Sequence, residues 1–282
     1  MMLHNYRSKK VFMSKLDLSP NTLRKNVINL SKDSKSGHLG CALSLIEIIS
    51  ALYDGELNYN QENPRDENRD ILALSKGHGV MAIYAAFYQL GWINDNQVDN
   101  YLKDGTELFG LSEDHISGIE ISGGSLGHGL PVATGMAYGF QRRNSKRRVF
   151  CIVGDGELNE GSMWEAILFA GHHKLDNLCV IVDANKYQAM GLTEDIIDLN
   201  SLEDKFNSFG FDSFSVDGHS LDEIRNSFKK VNDSKRPTVI IANTIKGAGI
   251  SYMENENIWH YKKMTKEEET LAIKDLSSKE VK

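Results

Sequence analysis

Two short polar segments in the middle of the sequence carry the residue types best suited to chemistry. The first is Gly154-Asp155-Gly156, and the second ends in Asn185. An Asp carboxylate and an Asn amide oxygen are hard oxygen donors, the kind that Mg²⁺ or Ca²⁺ accepts. Two side chains cannot enclose such an ion, and Mg²⁺ usually completes its shell with water and phosphate oxygens. Since Gly156 lets a phosphate approach the backbone N–H groups, we predict a diphosphate held through a metal ion.

Each polar segment follows a stretch that has the pattern of a buried strand. The apolar runs are residues 149–153 and 178–182, and a helical pattern with one apolar face lies between them. Strand, Gly-rich turn, helix and strand make a βαβ unit, whose two strands are parallel and buried. We therefore predict an α/β fold, a mostly parallel sheet sandwiched by helices. Asp155 and Asn185 then lie at the carboxyl ends of neighbouring strands, where open α/β sheets bind ligands.

The same residues allow plainer interpretations. An Asp-Gly pair also forms ordinary turns between strands, and Asn185 would then be a loop amide. The sequence has no Gly-x-x-x-x-Gly-Lys-Ser/Thr, which excludes a P-loop. It also lacks a Gly-x-Gly-x-x-Gly that opens a helix after a first strand, which disfavours a plain nucleotide-binding Rossmann module.

Composition and charge narrow the class of protein. The 282 residues carry a net charge of −7, which disfavours a nucleic-acid-binding surface. Apolar runs are too short to span a membrane and no signal peptide is visible, so we expect a cytoplasmic protein. Cys41, Cys151 and Cys179 lack metal-site or redox spacing. They are predicted to be reduced core thiols.

Hydrophobic periodicity predicts the elements around the central unit. The predicted helices cover residues 22–32, 42–53, 80–90 and 220–231, and further strands cover residues 213–216 and 237–244.

The sequence around the two polar segments resembles a known family. The Gly-Asp-Gly at 154–156 followed by Asn185 is similar to the thiamine diphosphate and magnesium motif, and residues 157–164 and 182–188 resemble transketolase in particular. The resemblance implies a thiamine diphosphate-binding fold of the diphosphate-binding (PP) type. It also implies thiamine diphosphate and Mg²⁺, or Ca²⁺ in its place, as cofactors.

The resemblance assigns roles to particular residues. The metal would be bound by Asp155, Asn185 and the backbone carbonyl of Tyr187, while Gly124 and Leu126 would border the aminopyrimidine ring. The full set of implied cofactor contacts is His78, Gly124, Leu126, Gly154, Asp155, Gly156, Asn185 and His260.

Three histidines are predicted to take part in catalysis. His38 stands in Gly-His-Leu-Gly, where the family has Gly-His-Pro-Gly, and by resemblance it faces the reacting end and the substrate; otherwise it is a loop histidine at a helix start. His78 lies at a strand-to-helix turn, where an imidazole can donate to a diphosphate oxygen. His260 matches a family histidine that reaches the diphosphate and reacting centre, although Tyr261 replaces the usual glycine.

Three further residues have weaker assignments. Glu160 is included among the predicted catalytic residues because the family has a glutamate here that communicates with the partner's catalytic glutamate; it would equally complement a helix dipole. The family's Gly-His-Pro is absent from residues 110–117, and His115 is the nearest candidate substrate contact. His128 replaces a frequent Gln and is interpreted as a packing residue.

The resemblance covers residues 20–262, with an N-terminal arm at 1–19 and a charged tail at 263–282. It includes only the diphosphate-binding third of a full transketolase. The resemblance therefore implies a partner, the C-terminal transketolase subunit, which carries the pyrimidine-binding domain and the catalytic glutamate. The two chains would form a heterotetramer.

These observations lead to one main functional hypothesis and two alternatives. The chain is predicted to be the cofactor-anchoring subunit of a transketolase-like transferase that moves a two-carbon ketol unit from a ketose to an aldose. The alternatives are the α subunit of a 2-oxoacid decarboxylase or dehydrogenase and a non-catalytic scaffold with this fold. Several histidines favour sugar hydroxyls over a decarboxylation pocket, and intact metal ligands argue against a scaffold. The sequence does not name the sugar.

Overall fold

The computed structural model describes residues 16–32 and 37–278. Most of the predicted N-terminal arm and the end of the charged tail lie outside the described residues. Five parallel strands form one sheet in the order β1-β2-β3-β5-β4. They are Ile71–Leu74 (β1), Val149–Gly154 (β2), Leu178–Ala184 (β3), Asp212–Asp217 (β4) and Thr238–Asn243 (β5).

Helices cover both faces of the sheet and confirm the predicted α/β sandwich. Among the described residues the α-helices are Pro20–Ser31 (α1), Leu39–Leu43 (α2), Ile46–Ala51 (α3), Val80–Leu90 (α4), Asp95–Asp99 (α5), Gly129–Arg142 (α6), Gly161–His173 (α7), Thr193–Ile197 (α8), Leu202–Ser208 (α9), Leu221–Asp233 (α10) and Lys266–Ser278 (α11). None of these helices is long and apolar enough to cross a bilayer.

The central strands are apolar on both faces, and alternate residues enter two separate cores. In β2, Phe150 and Ile152 pack into the core that contains α1, α3, α4 and α10. Val149, Cys151 and Val153 pack into the opposite core with α6, α7 and α9. Burial on both faces is why β2 and β3 have continuous apolar runs rather than alternating ones.

The predicted βαβ unit is confirmed, and its register brings the two polar segments together. β2 and β3 are parallel, with Gly154 opposite Asp183. The Asp155 N–H donates to the Asp183 carbonyl at 3.3 Å, one step beyond the last strand pair. Asp155 and Asn185 therefore follow neighbouring strand ends at the same edge of the sheet.

The prediction of one continuous helix over residues 42–53 is wrong, because the helix is divided. The chain forms α2, then α3, and then an irregular turn over Leu52–Glu56 in which Gly55 has a φ of 142°. The break falls at Ser44 and Leu45, where the Leu45 N–H donates to the Ala42 carbonyl at 3.2 Å, three residues back rather than four. The Ser44 hydroxyl donates to the Asp183 carboxylate at 2.7 Å.

The charged C-terminal segment is anchored to the core over part of its length. In α11, Ala272 and Leu276 are buried in the same core as α1, while Glu267 and Glu269 begin its first turn. The division of the chain into arm, domain and tail stays a prediction, but this helix packs as part of the α1 side.

Candidate functional site

A cavity of about 590 Å³ opens at the carboxyl edge of the sheet, above β2 and β3. Almost every residue that the sequence analysis predicts as a site residue lines this cavity. Those that line it are His38, His78, Gly124, Leu126, Gly154, Asp155, Gly156, Glu160, Asn185, Tyr187 and His260. A neighbouring cavity of about 450 Å³ lies under residues 192–203 and shares only Asp155 with this set. The larger cavity is therefore the candidate site.

Asp155 projects a buried carboxylate at the floor of the cavity. Its Oδ1 accepts from the Gly156 N–H at 2.7 Å, and its Oδ2 accepts from the Lys186 N–H at 2.6 Å. Burial, reinforced by the nearby Asp183 carboxylate, raises the pKa of Asp155 to about 6. A buried carboxylate with a raised pKa has an unmet preference for a cation close by.

Asn185 completes the candidate metal ligands on the next strand. Its Nδ2 donates to the Asp183 carboxylate at 2.9 Å, and its Oδ1 accepts from the Tyr187 N–H at 3.1 Å. Asp155, Asn185 and Tyr187 line the same cavity, so the donor set offers a carboxylate, an amide oxygen and a backbone carbonyl. Oxygen donors of this kind fit Mg²⁺ or Ca²⁺, with open positions left for phosphate oxygens.

The three predicted histidines form a cluster at one wall. The ring centroid of His38 lies 5.1 Å from those of both His78 and His260, and the latter two are 5.4 Å apart. His38 has a left-handed backbone, with φ 66°, and its N–H donates to the His260 carbonyl at 2.8 Å.

All three imidazoles are neutral at physiological pH. Burial, followed by the nearby lysine charges, lowers the pKa of His38 and His78, and lowers that of His260 to about 3. A neutral imidazole both donates and accepts a hydrogen bond, which suits it to hydroxyl groups.

Four buried groups of the site were missed by the sequence analysis. Lys76 and Asp183 form an ion pair beneath the cavity, with exposures of 2% and 0%. Lys246 places its Nζ 3.0 Å from the His260 Nδ1 and 3.1 Å from the Asn257 Oδ1. Residue type alone does not reveal these roles. Lys and Asp are rarely buried unless they are paired, and the partner is known only once the fold is known.

Cys41 is buried, as predicted, but it also lines the cavity. Its Sγ lies 3.6 Å from the His260 Nδ1, and ligand atoms of His38, Cys41 and His260 are all within 4.8 Å of one another. The Lys246 ammonium group next to His260 opposes a further cation at this point. The cluster is therefore treated as part of the cavity wall.

Glu157 is the fourth missed group, and it fixes the Gly-rich turn. Its Oε1 accepts from the Ser75 hydroxyl at 2.6 Å and from the Gly127 N–H at 3.0 Å, while its Oε2 accepts from the Gly154 N–H at 3.1 Å. This buried carboxylate joins the β1 end, the 124–127 loop and the β2 end. Its position in the segment after the Gly-Asp-Gly was the available signal.

Two of the weaker assignments lie outside the cavity lining. His115 is exposed, and its Nε2 is 2.8 Å from the Glu107 carbonyl. The loop is fixed because the Ser112 N–H donates to the Gly77 carbonyl at 3.1 Å, and this arrangement brings Leu111 rather than His115 to the cavity. His128 occupies the N-cap of α6 with its Nδ1 3.3 Å from the Ser125 carbonyl.

Glu160 occupies the N-cap of α7 and lines the cavity edge. Its side chain makes no capping hydrogen bond in that helix. The carboxylate is thus available at the cavity mouth, close to the positive end of the α7 dipole.

Comparison with known proteins places nearly the whole described chain in one family. The family described as "Transketolase, thiamine diphosphate binding domain" matches residues 17–278. The chain is 37% identical over 263 residues to a subunit of the apulose-4-phosphate transketolase of Actinobacillus succinogenes, covering 93% of this chain and 95% of that one. It is 38% identical over 258 residues to 6-deoxy-6-sulfo-D-fructose transketolase subunit SqwG of a Clostridium species, covering 91% and 94%.

Solved structures agree with this assignment. The transketolase of Campylobacter jejuni superposes with a TM-score of 0.85 at 30% identity, over 92% of this chain and 42% of that chain. The chain thus spans about two fifths of the length of that solved transketolase, and nearly the full length of the two subunits.

Proposed function

The chain belongs to the transketolase family, through its thiamine diphosphate-binding domain, and from this premise we propose that it is the cofactor-anchoring subunit of a two-chain transketolase. The enzyme moves a two-carbon ketol unit from a ketose to an aldose. The carrying observation is the single cavity that joins Asp155, Asn185 and three neutral histidines. The matches to transketolases favour this function over the 2-oxoacid and scaffold alternatives.

The residues at the floor of the cavity are proposed to anchor the cofactor. Asp155, Asn185 and the Tyr187 carbonyl would hold Mg²⁺, and the metal would bind the diphosphate. The imidazole of His78, which lines the same cavity, would donate a hydrogen bond to the diphosphate. When bound, thiamine diphosphate supplies the nucleophilic carbon and the electron sink for carbon–carbon cleavage.

The residues at the wall are proposed to handle the sugar. His38 and His260 are neutral, and they offer hydrogen bonds to the hydroxyl groups of the ketose and the aldose. A hydroxyl that loses its proton during cleavage can pass it to such an imidazole. His115 does not line the cavity, so its predicted role as a sugar contact has no support from the geometry.

Exposed apolar residues at the rim of the cavity favour the proposal that the enzyme contains a second chain. Met190, Ile197 and Tyr261 line the cavity yet are 79%, 56% and 63% exposed. Exposed apolar side chains grouped around one cavity are a feature of protein-binding surfaces. We propose that the partner, a pyrimidine-domain subunit carrying the catalytic glutamate, covers this rim. The heterotetramer and the cytoplasmic setting stay predictions.

The names of the two relatives bear on the donor sugar. One relative is named for apulose 4-phosphate and the other for 6-deoxy-6-sulfofructose. Both names describe a sugar with a strong anion at the end remote from the ketol group. We propose a donor of that class for this chain, a ketose ending in a phosphate or a sulfonate.

The test begins with Asp155→Ala in the chain assembled with its partner subunit. Loss of a direct metal ligand is expected to weaken thiamine diphosphate binding in Mg²⁺ by at least about 100-fold, as read by calorimetry. The matched control is Asp217→Ala, which removes an exposed aspartate at the end of β4, outside the cavity lining. It should bind as wild type does. Undiminished binding by Asp155→Ala would contradict the assignment.

The activity itself is tested with the same complex. Ketol transfer from a phosphorylated or sulfonated ketose to an aldose phosphate is expected, without turnover of pyruvate. Pyruvate turnover without ketol transfer would favour the 2-oxoacid alternative, and no turnover with no cofactor binding would favour the scaffold.

A further inference from the structure

Asp183, two residues before the candidate metal ligand Asn185, is the most enclosed carboxylate near the site. It belongs to β3 and has no exposed surface. Its Oδ2 accepts from Lys76, from the Ser44 hydroxyl at 2.7 Å and from the Asn185 Nδ2 at 2.9 Å. Its Oδ1 accepts from the Thr244 hydroxyl. Four donors thus converge on one carboxylate from separate segments of the chain.

The chemistry of these partners fixes the direction of the Asn185 amide. An ionised carboxylate only accepts hydrogen bonds, and an amide –NH₂ only donates them. Because Lys76 is its ion-pair partner, Asp183 stays ionised and can receive only the nitrogen side of Asn185. The amide carbonyl must therefore point away from Asp183. Without Asp183, the Tyr187 N–H, 3.1 Å from the Asn185 Oδ1, would be the remaining contact that opposes rotation of the amide by half a turn.

We propose that Asp183, kept ionised by Lys76, is a positioning residue that keeps the Asn185 amide oxygen directed at the metal. This inference rests on the proposed function and adds a residue to it. Asp183 does not touch the metal in this arrangement; it acts through Asn185. Partners of this kind, behind a metal ligand, typically contribute about 10–100-fold to metal affinity.

A purely structural role for Asp183 makes a different prediction. In that case the Lys76–Asp183 pair only ties β3 to the β1 end, and removing any donor would weaken stability and metal binding together. Thr244 provides the contrast, since it donates to Asp183 from the β5 end but makes no contact with Asn185 through that hydroxyl. Thr244→Val should therefore lower stability while leaving the amide direction unchanged.

The experiment measures Mn²⁺ binding to the assembled two-subunit enzyme at saturating thiamine diphosphate, by the electron paramagnetic resonance signal of the free ion. Mn²⁺ is chosen because it accepts carboxylate and carbonyl ligands as Mg²⁺ does. Asp183→Asn can donate as well as accept and so releases the Asn185 amide. It is expected to weaken Mn²⁺ binding by about 10–100-fold. Thr244→Val is expected to bind Mn²⁺ within about threefold of wild type, at a lower melting temperature.

The decisive comparison is the double variant with Asn185→Ala. If Asp183 acts through Asn185, Asp183→Asn should weaken Mn²⁺ binding by less than about threefold in that background, because coupled sites are not additive. An equal loss in both backgrounds, or an Asp183→Asn variant that binds as wild type, overturns the proposal.

Two further outcomes are separable. If the wild-type complex binds neither Mn²⁺ nor thiamine diphosphate, the proposed function fails rather than the positioning role. If Asp183→Asn does not assemble, the double variant Lys76→Met with Asp183→Asn is measured in its place, because it also removes the unpaired buried ammonium. Its loss of Mn²⁺ affinity is again compared with and without Asn185→Ala.

Discussion

Lys76 and Lys246 are both buried lysines at the carboxyl edge of the sheet, one after β1 and one after β5, yet their surroundings differ. Burial lowers the pKa of Lys76, but the Asp183 carboxylate outweighs burial and holds that pKa above its ordinary value. Burial lowers the pKa of Lys246 below its ordinary value. Its Nζ contacts the neutral Asn257 and His260 and lies 5.6 Å from the centre of the Tyr187 ring; among residues 16–32 and 37–278 it has no ion pair.

The difference suggests two roles: the Lys76 charge is neutralised within the chain by Asp183, whereas the Lys246 charge is free to pair with a bound anion. The chain neutralises Lys76 by itself, at the cost of burying Asp183 as well. It leaves Lys246 unneutralised beside the histidine cluster, where an anionic group would complete the site. A buried cation without a carboxylate is costly to the folded chain, and a bound anion relieves that cost.

The largest expected effect comes from breaking the self-neutralised pair. Lys76→Met leaves Asp183 as a buried charge without its ion-pair partner, and we expect it to lower the free energy of unfolding by about 3–5 kcal/mol. Urea unfolding of the isolated chain measures it. Adding Asp183→Asn to this variant should restore most of the loss. A loss of less than about 1 kcal/mol would mean that the pair is not what stabilises this edge.

The second effect concerns the ligand rather than the fold. Lys246→Met removes a buried cation that the chain does not neutralise, so the free energy of unfolding of the ligand-free chain should rise, by about 1 kcal/mol or more. Affinity for thiamine diphosphate should fall by roughly 10–100-fold, the worth of a charged hydrogen bond. Calorimetry on the assembled enzyme measures the affinity. Equal losses of stability in Lys76→Met and Lys246→Met would abolish the distinction between the two lysines.

The smallest expected effect is on the free energy of unfolding, and it concerns a buried carboxylate, Asp155, instead of a buried lysine. Asp155 has a pKa of about 6 in the folded chain, above the ordinary 3.8. Between these values the folded chain keeps a proton that the unfolded chain has lost, so stability falls as pH rises through this window. Asp155→Asn escapes that penalty, and should raise the free energy of unfolding of the metal-free chain by about 1–2 kcal/mol at neutral pH.

The pH series supplies the control for that variant. Urea unfolding at several pH values should show the gain of Asp155→Asn shrinking as the pH falls to about 4 and below, where the Asp155 carboxyl becomes protonated in both states. With Mg²⁺ and thiamine diphosphate present the order should reverse, because wild type binds them more tightly. A gain that is independent of pH would point to a cause other than charge.

The parts of the molecule that could be predicted from sequence are those set by local order along the chain. Asp155 and Asn185 follow apolar runs, so the rule for parallel strands places them at one edge before any coordinates are known. His78 stands between glycines at the start of a helix, which is also a local signal. The family resemblance then supplied the identity of the cofactor.

The parts that could not be predicted depend on contacts between distant segments. Lys76 and Asp183 both follow apolar runs. The sequence around either residue contains no signal that the two form an ion pair in the core. Ser44, at the break between α2 and α3, also donates to Asp183, which is another contact between distant segments. The place of His115 in a loop predicts a sugar contact, but the backbone hydrogen bonds of Ser112 to Gly77 and Gly123 hold that loop so that His115 lies outside the cavity.

The tie between His38 and His260 has a consequence for the order in which the protein is made. β2 and β3, with Asp155 and Asn185, leave the ribosome well before His260 does. The His38 N–H has no His260 carbonyl to donate to until residue 260 has been translated. A nascent chain therefore contains both proposed metal ligands before the histidine cluster, the proposed sugar contact, can form.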